Sequence, residues 1–338
     1  MKALKCIAIL LIFLTLTKGK AAAQDPSFSQ FFSSPLNINP ALTANINSDW
    51  RMIANLRDQW VGSTSPYMTG TVSFDTKLQH KMNGIPEGNI WGAGVMLMTD
   101  KALNGAVKSN YASLNVSYSM KLSEGISTHR IYIGFGGCYG SRNVDLSKLD
   151  FEEQFTGGGF NTSLPTGETS FSNTKDFLSL SSGISYRITG ERSNFDIGVA
   201  GFHLNQPKQS FLNAADNLPI RKVVHTNFET LLNDRLMLST SAIYQQQLRT
   251  DYLSFGGALG YFIGEGNETV ITSGLWYWSK NALIPYLGFG YKNLQVGFSY
   301  DLTTSKLNST TSRPNTCEVS LILRGNRTAS KVIYCPWK

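Results

Sequence analysis

Hydrophobic and polar residues alternate with period two along most of the chain. In Leu294–Asp301, Leu294, Val296, Phe298 and Tyr300 share one face, while Gln295, Gly297, Ser299 and Asp301 share the other. In Leu178–Ile188, Leu178, Leu180, Ile184, Tyr186 and Ile188 oppose Ser179, Ser181, Gly183, Ser185 and Arg187. Phe195, Ile197 and Val199 oppose Asp196 and Gly198, and Cys317, Val319, Leu321 and Leu323 oppose Glu318, Ser320 and Arg324. Such alternation is the signature of strands with one apolar face. The polar faces use small residues with occasional charges of both signs.

The pattern predicts strands near 50–59, 67–76, 89–99, 107–121, 128–141, 177–189, 193–204, 220–231, 235–247, 251–263, 269–280, 282–291, 293–303 and 316–325. Each is roughly ten residues, the length of a tilted membrane strand. Their number, about fourteen, is even, as expected of a single-chain outer-membrane barrel. The connections also sort by length. Thr189–Arg192, Leu231–Arg235, Gly264–Glu268 and Tyr291–Asn293 are short and fall on one side. The 142–176, 205–219 and 304–315 connections are long and fall on the other, with short links near 248–250 and 281 and a longer one at 77–88 as exceptions. Short periplasmic turns and long outer loops give that asymmetry. The expected fold is therefore all-β: an antiparallel transmembrane β-barrel of about fourteen strands, closed because lipid tolerates no free sheet edge.

The first 23 residues change the compartment. Lys2 and Lys5, an apolar stretch from Cys6 to Leu16 and Ala21-Ala22-Ala23 predict a cleaved secretory leader over 1–23. The apolar stretch is well short of the ~20 residues a spanning helix needs. The leader holds four of the 30 basic residues and no acid, so the remainder carries 26 against 23 and its net charge is +3 instead of +7. The basic balance of the whole chain thus gives no reason to expect nucleic-acid binding. Charged residues are 16% and aromatics 12%, against about 25% charge in an average soluble chain. Trp50, Trp60, Trp91, Trp276, Trp278 and Tyr291 cluster near strand ends, as interfacial girdles do; ordinary strand aromatics are the alternative.

No catalytic, cofactor or metal arrangement stands out. His80, His129, His203 and His225 are scattered, and neither a GxSxG elbow nor a phosphate-binding glycine loop occurs. Cys138, Cys317 and Cys335, an odd set, make no disulfide framework. Arg187, Asp196, Asp301, Glu318 and Arg324 fall on the inward face, where a structural ion-pair network is the expected role. Arg187 and Asp196 flank one tight turn and are placed to meet across it. Within the 142–176 connection, the stretch from Thr156 to Asp176 is rich in Gly, Ser, Thr and Asn, which suits a surface loop or a partner contact.

The segment Gln24–Ala44 is too apolar for a solvated tail, and Pro26, Pro35 and Pro40 break it. A periplasmic plug or docking segment is expected over 24–48, with the barrel over 49–326 and a periplasmic tail over 327–338. Asp25 and Pro26 suit the start of a helical turn reaching Phe32. Phe28, Phe31, Phe32 and Leu36 are expected to bury, with Asn37 and Asn39 bonding backbone. Plugging, docking onto a partner and serving as a belt that holds the barrel closed all remain open.

Phe28, Gln30, Phe31, Pro35, Leu36, Asn39 and Pro40 stand in a run, from Phe28 to Ala44, that resembles the N-terminal signature of the PorP/SprF family. Arg57, Gln59, Trp60 and Gly62 resemble its first strand, Asp100 the end of its third, and Tyr300-Asp301 its Tyr-Asp-Thr-Ser segment. Cys335-Pro336 resembles its terminal motif, although the chain ends Trp337-Lys338 where the family usually has Arg-Phe. The resemblance spans nearly the whole chain behind the leader. It implies an outer-membrane barrel of the type IX secretion and gliding apparatus. Such a barrel would help export or attach a partner, often an adhesin with a C-terminal sorting domain, and would contact periplasmic machinery and outer-membrane lipid. A porin or small-hydrophobe transporter is the alternative.

Overall fold

A computed structural model describes residues 25–61, 66–78, 88–167, 176–211, 214–264, 266–279, 281–304 and 315–326. The leader, Gln24, Gly62, Cys335 and Pro336 lie outside the described residues.

Fourteen antiparallel strands close into a barrel. They are β1 (Trp50–Gln59), β2 (Tyr67–Leu78), β3 (Ile90–Ala102), β4 (Val107–Ser123), β5 (Thr128–Val144), β6 (Phe177–Thr189), β7 (Ser193–Phe202), β10 (Arg221–Leu231), β11 (Leu236–Gln247), β12 (Thr250–Ile263), β13 (Thr269–Trp278), β14 (Ala282–Tyr291), β15 (Leu294–Thr303) and β16 (Thr316–Gly325). A two-stranded hairpin, β8 (Lys208–Phe211) with β9 (Ala214–Asn217), stands in the connection from β7 to β10. Neighbours in sequence are neighbours in the sheet, and β1 pairs with β16 to close the ring, Arg57 opposite Glu318. The long connections leave one end, which is the outer end. Both barrel termini, Trp50 and Gly325, lie at the other, the periplasmic end.

The alternation is inverted relative to a soluble protein. Leu97, Leu114, Phe135, Leu178, Ile184, Leu287 and Phe298 are exposed on the outer wall, where lipid takes the place of a core. Ser113, Ser117, Ser179, Ser185, Ser299 and Ser320 are buried inside with Arg51, Arg57, Asp75, Asp196 and Glu318. β13 departs from the expected girdle. Val270, Thr272, Trp276 and Trp278 face inward and Ile271, Leu275 and Tyr277 outward, so Trp276, 2% exposed, lies in the lumen. The sequence from Leu275 to Trp278 is apolar on both faces, which hides its parity. Trp91 and Tyr291 remain exposed at the periplasmic end.

Residues 25–49 occupy the lumen. The chain makes a 3₁₀ turn at Phe31–Ser33, one helical turn α1 (Pro35–Ile38), and a second 3₁₀ turn at Pro40–Leu42. Pro35 and Pro40 each open their turns, where a missing N–H is harmless. The helical turn expected from Asp25 does not form: residues 25–28 are irregular, and the Asp25 carboxylate binds the barrel wall. The wall gives way where this segment crosses it. A Cβ at Gly134 would collide with the backbone of Pro40 and Ala41, and one at Gly183 with the Asn39 side chain.

Gly134→Ala is therefore expected to displace the segment and lower stability by about 1–3 kcal/mol, as overpacking does. Gly137→Ala, whose Cβ meets nothing within 4 Å, serves as the control. Thermal melting of the detergent-solubilised barrel measures the difference.

Candidate functional site

The luminal segment runs from the outer end to the periplasmic end, fixed by buried charges on the wall at successive heights. This is a different placement from a segment confined to the periplasmic mouth. Its first residue, Asp25, reaches the outer ends of β10 and β11. There its carboxylate lies 3.2 Å from Arg221 Nε and 2.7 Å from His203 Nε2, and its backbone N–H donates to Gln247 Oε1 at 3.1 Å. Burial raises the carboxyl pKa, but the Arg221 charge and the His203 contact outweigh it and hold the group down at about 2.

Just inside, Ser29 and Gln30 cross the seam that closes the barrel. Glu318 on β16 accepts the backbone N–H groups of Ser29 and Gln30 at 2.6 and 2.8 Å, and pairs with Arg57 on β1. Ser29 Oγ donates to Asp301 on β15 at 2.6 Å, and Arg57 lies 3.3 Å from that same carboxylate. Gln30 donates to Ser299 Oγ and accepts from Ser320 Oγ. Each charge in this group has both an opposite charge and hydrogen bonds, the condition under which a buried ion pair is tolerated.

Apolar packing follows. Phe32 lies 4.8 Å from the Trp276 ring and 5.6 Å from that of Tyr286, and Phe31, Leu36 and Ile38 are buried. At mid-height Asn39 donates to the carbonyls of Ile184 and Val199, contacts His225 Nε2 at 3.0 Å, and caps the Pro40 turn by accepting from Ala41 N. At the periplasmic end Asp75 accepts from Ala44 N at 2.8 Å and pairs with Arg51 at 2.9 Å. Arg187 and Asp196 stand opposite each other in the ladder, with Asn45 bonded to both: its amide donates to Asp196 at 2.7 Å and its oxygen accepts from Arg187 at 2.7 Å.

The structure thus gathers Phe28, Gln30, Phe31, Pro35, Leu36, Asn39 and Pro40 in one buried segment, and Arg57, Asp301, Arg187, Asp196 and Glu318 on the wall that grips it. Arg324 is inward too and bonds Gln295 at the periplasmic rim. Asp100 accepts from Thr69 near the outer rim, and Gln59 stands at the outer end of β1. Trp60 packs on Tyr67, and Tyr300 is half-buried opposite Cys317. Sequence reasoning passed over Ser29, Asn45, Arg51, Asp75 and Arg221. The inward parity of Arg51, Asp75 and Arg221 was readable from their strands.

Ser179 Oγ lies 2.7 Å from His203 Nδ1, which makes a Ser–His–Asp line with Asp25. The order resembles a hydrolase relay. Here, however, Ser179 is 3% exposed beneath the segment and Asp25 is shared with Arg221. The line anchors the tip of the segment.

Because the folded pKa of Asp25 lies below the ordinary 3.8, its anchor stabilises the segment above that value and is lost as pH falls through about 2. Hydrogen-exchange protection of the Asp25 amide should stay level from neutral pH to about 4 and drop below it, and Asp25→Asn should abolish the step.

No curated protein matches the chain. Among solved structures, the toluene transporter TbuX of Ralstonia pickettii aligns at 12% identity over 87% of this chain and 94% of that one, with a TM-score of 0.46. The TodX monoaromatic hydrocarbon channel deltaS2 mutant aligns at 9% identity over 86% and 93%, with a TM-score of 0.50. At that identity the likeness is one of barrel architecture. The model of the family described as Type IX secretion system membrane protein PorP/SprF matches residues 20–323, ending within β16. The chain belongs to the PorP/SprF family of type IX secretion system outer-membrane proteins.

Proposed function

We propose that the protein is a sealed, non-enzymatic barrel that assists export or surface attachment of a secreted partner with a type IX sorting domain, and whose periplasmic rim contacts the secretion and gliding machinery. The family supplies the system. The observation that supports a sealed scaffold is the filled lumen. Residues from Asp25 to Asn45 cross it, bonded to buried charges on β1, β2, β6, β7, β10, β15 and β16.

A solute pathway would have to displace this segment and take from Glu318, Asp75 and Asp196 the hydrogen bonds of Ser29, Gln30, Ala44 and Asn45. A buried acceptor left without a hydrogen bond costs about 1–3 kcal/mol, and more when it is charged. The sealed lumen leaves the outer loops, the periplasmic rim and the lipid-facing wall as the surfaces open to partners. The segment also belts the β1–β16 seam through Ser29 and Gln30, so plug and belt are two consequences of one set of bonds.

The test is extraction of the tagged full chain from outer membranes in mild detergent, followed by identification of what co-purifies. A surface protein bearing a sorting domain, or periplasmic machinery components, is the expected result. A barrel that emerges alone at native expression overturns the reading.

A further inference from the structure

The lipid-facing wall of the outer half is not smooth. Across β16, β1, β2, β3, β4 and β5 it carries an apolar groove of about 790 Å³. Ala54, Gly70 and Ala112 leave it shallow side chains, and Leu56, Leu97 and Leu321 border it. A concavity of this kind inside a bilayer is filled by hydrocarbon, because neither water nor vacuum is stable there.

The groove-lining row that holds Leu56 and Gly70 turns polar on the next three strands. Thr99, Asn110 and Ser141 stand in register on β3, β4 and β5, all on the outer wall. Thr99 Oγ1 donates to Asn110 Oδ1 at 3.1 Å. Among the described residues, the Asn110 amide nitrogen and the Ser141 hydroxyl have no further hydrogen-bond partner.

One row further out, at the headgroup level, Lys101 and Lys108 stand directly opposite each other. Both are exposed, and neither forms an ion pair among the described residues. Like charges directly opposed on one face of a sheet destabilise it. The nearest carboxylate along the row is that of Asp58, two strands away beyond Met68. Asp176, bonded to Tyr139, stands at the far side. An anion seated between the lysines removes the repulsion.

We propose that this flank is a binding site for a phosphorylated, acylated lipid of the outer leaflet. Its acyl chains lie in the groove, its phosphate sits between Lys101 and Lys108, and its linking hydroxyl, ester or amide groups bond Asn110 and Ser141. The proposal rests on the orientation of the barrel and not on its secretion partner.

The test is a titration of the full-length barrel in detergent with diphosphoryl lipid A, read by native mass spectrometry. Two variants are compared: Lys101→Gln with Lys108→Gln, and Gly70→Leu. A Cβ at Gly70 meets nothing closer than 3.8 Å, so the wall accepts a side chain there that fills the groove. The lysine variant should weaken binding roughly 25-fold, about fivefold per lysine at a charged lipid surface. The groove variant should weaken it by a comparable factor. Inorganic phosphate should not compete, and an acyl-matched lipid without phosphate should bind like the lysine variant binds the probe.

Both variants are first checked for heat-modifiable electrophoretic mobility. Should either fail to fold, the salt dependence of the unmodified chain decides, because a phosphate–lysine contact weakens as ionic strength rises. Equal affinity for the variants, equal affinity for the phosphate-free lipid, competition by inorganic phosphate or salt-independent binding would each overturn the proposal.

Discussion

Buried charge inside a closed sheet is the constraint on which the rest of this structure depends. Fourteen strands enclose more space than their own inward side chains fill, and the inward side chains here include Arg51, Arg57, Asp75, Asp196, Glu318 and Arg221. Such groups are stable out of water only when paired and hydrogen-bonded. The chain supplies further partners from its own N-terminal segment, which offers backbone N–H groups at Ser29 and Gln30 to Glu318 and at Ala44 to Asp75. The irregular backbone that the prolines impose is what frees those N–H groups for the wall.

The same bonds tie distant parts of the sequence together. Ser29 reaches Glu318, 289 positions away, and Glu318 pairs with Arg57 across the closing seam. Contacts of that span form late in folding. The segment bonds residues on both sides of the seam, so sealing and closure share the bonds of Ser29 and Gln30.

Much of the barrel was legible because its physics is periodic. Strand positions and their number follow from alternation, and the inward set containing Arg187, Asp196, Asp301 and Glu318 follows from parity. β13 was not legible, since Leu275 to Trp278 is apolar on both faces and contacts with Phe32, Tyr286 and Ser241 assign Trp276 to the lumen. Asp25 was misplaced for a related reason. Local rules favour it as a helix cap beside Pro26, but a buried Arg221 some 196 positions away holds it more strongly. The plug was legible as something buried, from its apolar and proline-rich composition. Its course up the lumen depends on Gly134, Gly183 and Gly198, which in sequence are merely small residues on a polar face. Membership of the family was carried by ordered motifs, several of which coincide with the plug and its anchors.

The central claim is that the lumen is sealed by residues 25–49. Its most direct test is the ion conductance of the purified full-length chain in a planar bilayer, compared with a chain lacking residues 25–44. The account predicts a silent full-length barrel, and a truncated chain that either conducts or fails to close. A steady, open-pore current from the full-length chain would contradict it.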